Sequence, residues 1–176
     1  MNSQIFLIGM MGAGKSSIGK ILSKSLQMRF YDTDDLIKKN TGVEINRIFE
    51  LEGEKGFRNW ERKALLSIVD KKNIVVATGG GIIVNNDNFE ILKKKKFVFF
   101  LKTDIKNLIG RLSKDGSRPL LEVSNIKKQL DDLYSSRKNK YEEASNYIVE
   151  TSESDTLVDV SNRISSIFIK YSNEKS

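Results

Sequence analysis

The chain has 176 residues with no histidine and no cysteine, and its 30 basic and 23 acidic residues give a net charge of +7. A chain of this length forms one α/β domain, at most with a small lid, and is too short for two domains of ordinary size. The missing residue types exclude a Ser-His-Asp hydrolase, disulfides and cysteine-ligated zinc, so acid–base chemistry falls to carboxylates, lysines or water.

The basic residues are mostly lysines that are scattered along the chain. This distribution favours a solvated surface over a binding patch, so we expect neither nucleic acid nor a membrane as a partner. The lysine run at residues 93–96 precedes an apolar stretch, where a turn with polar gatekeeper residues is expected, and we assign it no function. Residues 5–11 lack a basic leader, and no apolar run reaches membrane-spanning length. Together with the missing cysteines, this predicts a cytoplasmic protein.

Short β-rich runs alternate with segments that are long enough for helices. This alternation predicts an α/β fold, with a parallel sheet covered by helices on both faces. Apolar residues at helical spacing predict helices after the first and fourth runs and near residues 126–144 and 157–169, and Asp104 can cap the second helix. The five predicted strands are residues 5–8, 28–31, 74–77, 97–101 and 147–149.

The first strand runs into residues 9–16, Gly-Met-Met-Gly-Ala-Gly-Lys-Ser, which match the motif G-x-x-x-x-G-K-[ST] at every fixed position. The glycines let the backbone N–H groups surround phosphates, Lys15 reaches the β- and γ-phosphates, and the Ser16 hydroxyl binds Mg²⁺. An accidental glycine-rich turn is the alternative. The motif leaves GTPases, motor ATPases and kinases open. The predicted nucleotide-binding residues are Gly12, Ala13, Gly14, Lys15, Ser16 and Ser17.

The second strand ends in Asp32-Thr33-Asp34. Alternate strand residues share a face, so we expect both carboxylates at the edge of the sheet where α/β proteins bind ligands. The third strand is followed by no acidic residue, which makes Asp32 the candidate metal-associated aspartate. The alternative role of Asp32 is to cap a helix or form a turn.

Two further segments contain candidate ligand-binding residues. Residues 49–58 lead into an amphipathic helix with Arg58 close to its start, and an arginine fork suits a carboxylate, although a solvated surface arginine is the alternative. Gly79, Gly80 and Gly81 directly follow the third strand. Such a triplet predicts backbone close to a ligand, with Gly80 at its centre, or else a tight turn.

Residues 113–124 contain the only proline and form the candidate lid.

The combination of motifs resembles shikimate kinase. The phosphate-binding loop is followed, in that family's order and approximate spacing, by Asp-Thr-Asp, Gly-Glu-x-x-Phe-Arg, Thr-Gly-Gly-Gly, Arg-Pro-Leu-Leu and Arg-x-x-x-Tyr-Glu-Glu. The resemblance extends from residue 4 to about residue 170. It implies a P-loop NTPase fold with a five-stranded parallel sheet of nucleoside-monophosphate-kinase type. Residues 1–176 would form a single domain, with a substrate-binding region near residues 33–60 and the lid at residues 113–124.

The resemblance also implies roles for individual residues. Asp34 would hold the hydroxyls of shikimate, Arg58 and Arg137 would bind its carboxylate, and Gly80, between Gly79 and Gly81, would add a backbone donor. Arg118 of the lid would approach the phosphates of ATP, and Arg111 would lie near the adenine. The catalytic residues would then be Lys15, Asp34 and Arg118.

The implied reaction is transfer of the γ-phosphoryl group of ATP to the 3-hydroxyl of shikimate, with Mg²⁺ held by Ser16 and Asp32, in a protein expected to be a monomer. One alternative is another small-metabolite kinase such as a gluconate kinase, which should arrange its substrate contacts differently. A more distant alternative is a non-catalytic module that binds nucleotides or nucleic acid.

Overall fold

The computed structural model describes residues 3–112 and 125–173. Within them, five strands form one sheet in the order β2-β3-β1-β4-β5, and all neighbouring strands are parallel. The predicted parallel sheet is therefore confirmed, and its strand boundaries differ from the predicted ones by at most two residues. The strands are β1 (Gln4–Ile8), β2 (Arg29–Asp32), β3 (Ile74–Ala77), β4 (Val98–Thr103) and β5 (Tyr147–Thr151).

Helices connect the strands and pack mainly in three groups, α1 with α7, α2 with α3, and α4 and α5 with α6. A short 3₁₀ turn, Ile82–Val84, precedes α4. No helix in the described ranges has the length and apolar character that crossing a membrane requires. The helices are α1 (Lys15–Ser25), α2 (Thr33–Thr41), α3 (Ile45–Leu66), α4 (Asn86–Lys93), α5 (Ile105–Leu112), α6 (Ile126–Ala144) and α7 (Leu157–Asn173).

The central strands lie in the middle of the hydrophobic core. All four residues of β3 and residues 5–8 of β1 are fully buried, because helices cover both of their faces. Edge strand β5 instead alternates between exposed and buried side chains. Register pairs both Leu7 of β1 and Asp32 of β2 with Ala77 of β3. These three strands therefore end at the same level, and the segments that follow them converge on one edge of the sheet.

Helix α3 contains a break that the sequence did not predict. Gly53 has φ 66° and ψ −173°, which are not helical angles, so the chain forms two helical halves. A Cβ atom at Gly53 would meet no other atom within 4 Å, so the backbone angle alone favours glycine here. The second half carries Arg58 close to its start, as predicted. The predicted lid and Arg118 lie outside the described residues.

Candidate active site

The loop between β1 and α1 has the backbone conformation that the phosphate-binding motif predicts. Gly9, Gly12 and Gly14 have φ angles of 138°, 78° and 86°, which side-chain-bearing residues rarely adopt. The Ala13 N–H donates to the carbonyl of Met10 at 3.3 Å, which closes the turn. Because Gly14 ends the loop at the N-terminus of α1, the positive end of the helix dipole lies beside the loop.

Lys15 lies beneath this loop rather than in solvent. Its side chain is buried, and its Nζ donates to the carbonyls of Gly9 and Met10 at 2.9 and 2.7 Å. These two hydrogen bonds hold a positive charge against the loop. Ser16 and Ser17, the next residues of α1, are exposed and border the same cavity as the loop.

Asp32 has two partners, one on each side of its carboxylate. Its Oδ2 accepts from the Ser16 hydroxyl at 2.5 Å, and its Oδ1 accepts from the Asp34 backbone N–H at 2.9 Å. The second bond makes Asp32 the N-cap of α2. The helix cap, one of the two roles that the sequence left open for Asp32, is therefore present, and the bond to Ser16 places the same carboxylate beside the phosphate loop.

Asp34 lies at the site, but it belongs to a helix and not to the end of a strand as predicted. Strand β2 ends at Asp32, and Thr33 and Asp34 already belong to α2, so the alternation of strand residues does not apply to them. The first turn of α2 still brings Asp34 to the edge of the sheet, because the helix begins directly where the strand stops. The expected location is thus correct, but the reasoning from strand alternation was wrong.

The residues around Ser16 fit a magnesium ion. No group of three or more acidic, histidine or cysteine residues converges on one point anywhere in residues 3–112 and 125–173. Mg²⁺ does not need such a cage, since it usually keeps several waters and binds one or two protein oxygens together with substrate phosphates. Ser16 Oγ and Asp32 Oδ2 form a suitable oxygen pair next to the phosphate loop.

The three glycines after β3 let neighbouring groups lie close to the backbone. They do not form a left-handed turn, since none of them has a positive φ. A Cβ atom at Gly79 would lie 2.6 Å from Glu61 Oε1 and 2.9 Å from Asp34 Oδ1. A Cβ at Gly80 would lie 2.9 Å from the backbone nitrogen of Met11 in the phosphate loop, and one at Gly81 would overlap the Arg58 guanidinium. Side chains at these positions would therefore displace the groups that surround them.

Arg58 is a buried arginine in an ion-pair network, so the reading as a solvated surface residue is wrong. It is 8% exposed, its Nη1 pairs with Glu61 Oε2 at 2.5 Å, and its Nη2 pairs with Glu54 Oε1 at 2.8 Å. Arg137 of α6 is also buried, and its Nη1 lies 3.5 Å from the Gly80 carbonyl. The two arginines thus border the glycine segment from different helices.

Glu61 is fully buried beside these arginines and was not predicted from the sequence. Burial raises the pKa of its carboxyl to about 7, because the loss of hydration outweighs the attraction of Arg58, and the nearby Asp34 charge acts in the same direction as burial. Its spacing of three residues from Arg58 on one helix was a signal for a local ion pair. Nothing in the sequence showed that the pair would be buried.

The raised pKa of Glu61 predicts how stability depends on pH. A carboxyl with a pKa of about 7 when folded, and 4.5 in its reference state, binds more protons in the folded protein between these values. The free energy of unfolding should therefore fall as pH rises, by about 2 kcal/mol between about pH 5.5 and 7.5 from this group. Urea unfolding at several pH values measures this slope, and Glu61→Gln should lack it.

The matched control for this prediction is Glu54→Gln. Glu54 also pairs with Arg58, but its side chain is half exposed. The control should keep the slope of the unmodified protein. Equal slopes in the unmodified protein and in Glu61→Gln would contradict the raised pKa.

Two cavities meet at this edge of the sheet. The Arg58 cavity, which is also lined by Phe57, Glu61, Gly81 and Arg137, has a volume of about 410 Å³. The phosphate-loop cavity, which is also lined by Lys15, Ser17 and Arg111, has a volume of about 580 Å³. Both volumes suit small molecules. Six residues border both cavities and form a shared wall: Met11, Ser16, Asp32, Asp34, Gly79 and Gly80.

The phosphate-loop cavity includes a segment to which the sequence gave no role. Asp155, Thr156 and Leu157, where the connection after β5 enters α7, also line it. The Asp155 carboxylate accepts from the Ser152 N–H at 2.7 Å and pairs with Arg163 at 2.9 Å, which fixes this turn. Arg111 is exposed, and its Nη1 donates to the carbonyl of Gly12 at 3.2 Å. The alternating serines and acidic residues at positions 152–155 gave no distinctive pattern, so sequence reasoning missed the segment.

Comparison with known proteins gives a consistent result. The model of the shikimate kinase family matches residues 11–168. A shikimate kinase from Francisella philomiragia is 44% identical over 167 residues, which cover 94% of each chain. The structure of a shikimate kinase from Acinetobacter baumannii in complex with shikimate is similar with a TM-score of 0.91 and 38% identity, and the match covers 98% of this chain and 95% of that one.

A gluconokinase from Sinorhizobium meliloti is also similar in structure. Its TM-score is 0.61 at 15% identity, over 97% of this chain and 93% of that chain. A similarity at this level of identity shows a shared fold alone.

Proposed function

Because this chain belongs to the shikimate kinase family, we propose that its site transfers the γ-phosphoryl group of ATP to the 3-hydroxyl of shikimate, giving 3-phosphoshikimate and ADP. This reaction is a step in the biosynthesis of aromatic amino acids. The observation that carries the proposal is the shared wall between a phosphate-loop cavity and a cavity that contains two buried arginines. A donor and an acceptor bound on either side of this wall would meet beside Asp34.

On the donor side, the triphosphate would bind to the backbone N–H groups of residues 12–17 and to Lys15, whose charge lies against the loop. The nucleoside would occupy the part of the cavity that Arg111 and residues 155–157 line. Ser16 and Asp32 would hold Mg²⁺, which supplies positive charge to the β- and γ-phosphates when bound.

On the acceptor side, Arg58 and Arg137 would bind the carboxylate of shikimate. Glu54 and Glu61 hold the Arg58 guanidinium in place, so little side-chain entropy is lost when the anion binds. Two buried cations near one pocket favour an acceptor with a carboxylate. The glycine backbone at residues 79–81 can approach the ring closely because it carries no side chains.

The reaction forms a bond between the acceptor oxygen and the γ-phosphorus and breaks the bond between that phosphorus and the bridging oxygen of ADP. The proton of the hydroxyl passes to Asp34 or to the transferred phosphoryl group. Since phosphoryl transfer usually has a loose transition state, we assign Asp34 chiefly to orienting the hydroxyl, and Lys15 to stabilising the developing charge.

Arg118 and the lid at residues 113–124 complete the proposal. A lid over the shared wall would exclude water, which could otherwise accept the phosphoryl group, and Arg118 would add charge at the phosphates. The connection from α5 to α6 supports this assignment, since α5 carries Arg111 and α6 carries Arg137. Turnover by Arg118→Ala equal to that of the unmodified enzyme would contradict the role of this arginine.

The activity is tested by measuring ADP release with ATP and Mg²⁺ in the presence of shikimate, quinate or gluconate. We expect turnover that depends on shikimate, because a carboxylated ring with adjacent hydroxyls fits two arginines and Asp34 on one side of the wall. Turnover with gluconate alone would favour the alternative kinase. Nucleotide binding without turnover on any of the three would favour a non-catalytic module.

We further propose that the protein acts in the cytoplasm as a monomeric single domain without nucleic-acid or membrane partners. The chain has no cysteine that an oxidising compartment could use, and its basic residues are mostly lysines scattered along the sequence. Sedimentation velocity at physiological salt, with and without duplex DNA, tests these points. A dimer, or a complex with DNA, would contradict the corresponding part of the proposal.

A further inference from the structure

Tyr141 is a buried side chain of α6 that the mechanism above does not use. It is fully buried, and its ring stacks on Phe100 of β4, with centroids 5.0 Å apart and an angle of 20° between the rings. It follows Arg137 by one helical turn, so both residues lie on the same face of α6. The stacking fixes the position of the ring, and the hydroxyl is thereby held at one place near the shared wall.

The hydroxyl of Tyr141 bridges the glycine segment and the phosphate loop. It donates to the Gly80 carbonyl and lies 3.8 Å from the sulfur of Met10. Burial raises the pKa of Tyr141 to about 12, so the group stays a neutral donor at physiological pH. The carbonyl of Met10 accepts from Lys15. Tyr141 therefore contacts both the glycine segment and the phosphate loop.

The bond to the Gly80 carbonyl also orients an N–H group. In a planar trans peptide, the carbonyl of Gly80 and the N–H of Gly81 point in opposite directions. The described residues contain no cis peptide bond, so this geometry applies here. A carbonyl held toward Tyr141 leaves the Gly81 N–H pointing away from α6, and Gly81 packs directly against the Arg58 guanidinium.

Both amide groups of this segment remain available as donors. Within residues 3–112 and 125–173, neither the Gly80 nor the Gly81 N–H donates a hydrogen bond. The adjacent Gly79 N–H, in contrast, donates to Thr33 Oγ1 at 2.8 Å. Two available donors next to a buried arginine suit an anionic oxygen.

We propose that Tyr141 is a positioning residue that fixes the Gly80–Gly81 peptide, so that its N–H contacts the acceptor beside Arg58. This inference rests on the proposed function. Arg137 lies 3.5 Å from the same carbonyl, which is too far to replace the tyrosine as a strong donor. Without the hydroxyl, the peptide can rotate, and its amide no longer has one orientation.

The test is the variant Tyr141→Phe, which keeps the stacked ring and removes only the hydroxyl. We expect the KM for shikimate to rise about tenfold, the effect of losing about 1.4 kcal/mol of binding when a buried hydrogen bond is removed. The KM for ATP and kcat should change little, and the thermal unfolding midpoint should fall by about 2–4 °C because the Gly80 carbonyl loses its donor. Steady-state ADP release and thermal unfolding measure these four quantities.

The matched control is Tyr134→Phe on the same helix, because the Tyr134 hydroxyl makes no hydrogen bond within the part of the chain that the structure describes. It should leave both KM values unchanged. Para-aminophenylalanine at position 141 restores a donor, and it should return the KM for shikimate toward that of the unmodified enzyme. If Tyr141→Phe does not fold, the para-aminophenylalanine variant tests the proposal instead. A folded para-amino variant whose KM for shikimate differs from that of the unmodified enzyme would overturn the proposal.

Three further results would overturn the inference. The first is an unchanged KM for shikimate in Tyr141→Phe. The second is an equal rise in both KM values, since that describes a purely structural tyrosine. The third is failure of the para-amino group to restore binding. All of these require turnover of shikimate by the unmodified enzyme, so absence of that turnover identifies a failure of the proposed function instead.

Discussion

Asp34→Asn is expected to lower kcat/KM for shikimate by about three orders of magnitude, the range observed when a positioned acid–base group is lost. Asparagine keeps the shape of the side chain but removes its negative charge and its capacity to accept a proton. Asp34 Oδ1 faces Gly79 on the shared wall, so the negative charge is removed at the place where donor and acceptor would meet. Steady-state ADP release at varied shikimate measures the effect, and the KM for ATP should change little.

The control for this change is Asp35→Asn, one residue along the same helix. Asp35 also lines the Arg58 cavity, but it is largely exposed and lies 3.8 Å from Lys38, an arrangement that contributes little in solvent. Its kcat/KM should stay close to that of the unmodified enzyme. If the two variants lost similar activity, a general effect of charge on the substrate-binding region would explain the result better than a specific role of Asp34.

Lys15→Met is expected to lower kcat by about two to three orders of magnitude, because it removes a preorganised charge from the β- and γ-phosphates. The effect on KM for shikimate should be small, since Lys15 does not line the Arg58 cavity. Methionine preserves most of the length of the side chain. The carbonyls of Gly9 and Met10 would lose a common donor, so the unfolding free energy should also decrease, by about 1–3 kcal/mol.

Lys20→Met serves as the control for Lys15→Met. Lys20 is on the same helix but is exposed, away from the loop. It should retain full activity. Single-turnover measurements with saturating ATP separate slow transfer from weak nucleotide binding. Transfer at the unmodified rate in Lys15→Met would contradict the role of this lysine.

The sequence predicted the fold well because the fold depends on local patterns. Buried strands such as Ile74–Ala77 are continuous apolar runs with flanking polar residues, and this signal does not depend on distant contacts. The phosphate loop was equally clear, since the positive φ angles of Gly9, Gly12 and Gly14 restrict which residues can stand there. In both cases one short segment contains all the information that is needed.

The site was predicted less completely because its remaining contacts join distant segments. Tyr141 donates to Gly80, 61 residues away, and no local pattern predicts that pair. The burial of Glu61 depends on how α3 packs against the glycine segment, so its raised pKa could not be predicted either. For Asp34 the helix start at Thr33 was missed, although Asp32 is a common capping residue.

The shared wall has a consequence for inhibition and for resistance to it. One compound that fills both cavities would hold its two ends on either side of the same residues, so binding of one end would present the other at high effective concentration. Such a compound would contact Asp34, Gly79 and Gly80 from both sides. Substitutions that prevent its binding there would also damage the reaction, which leaves few routes by which the enzyme could escape while keeping its turnover.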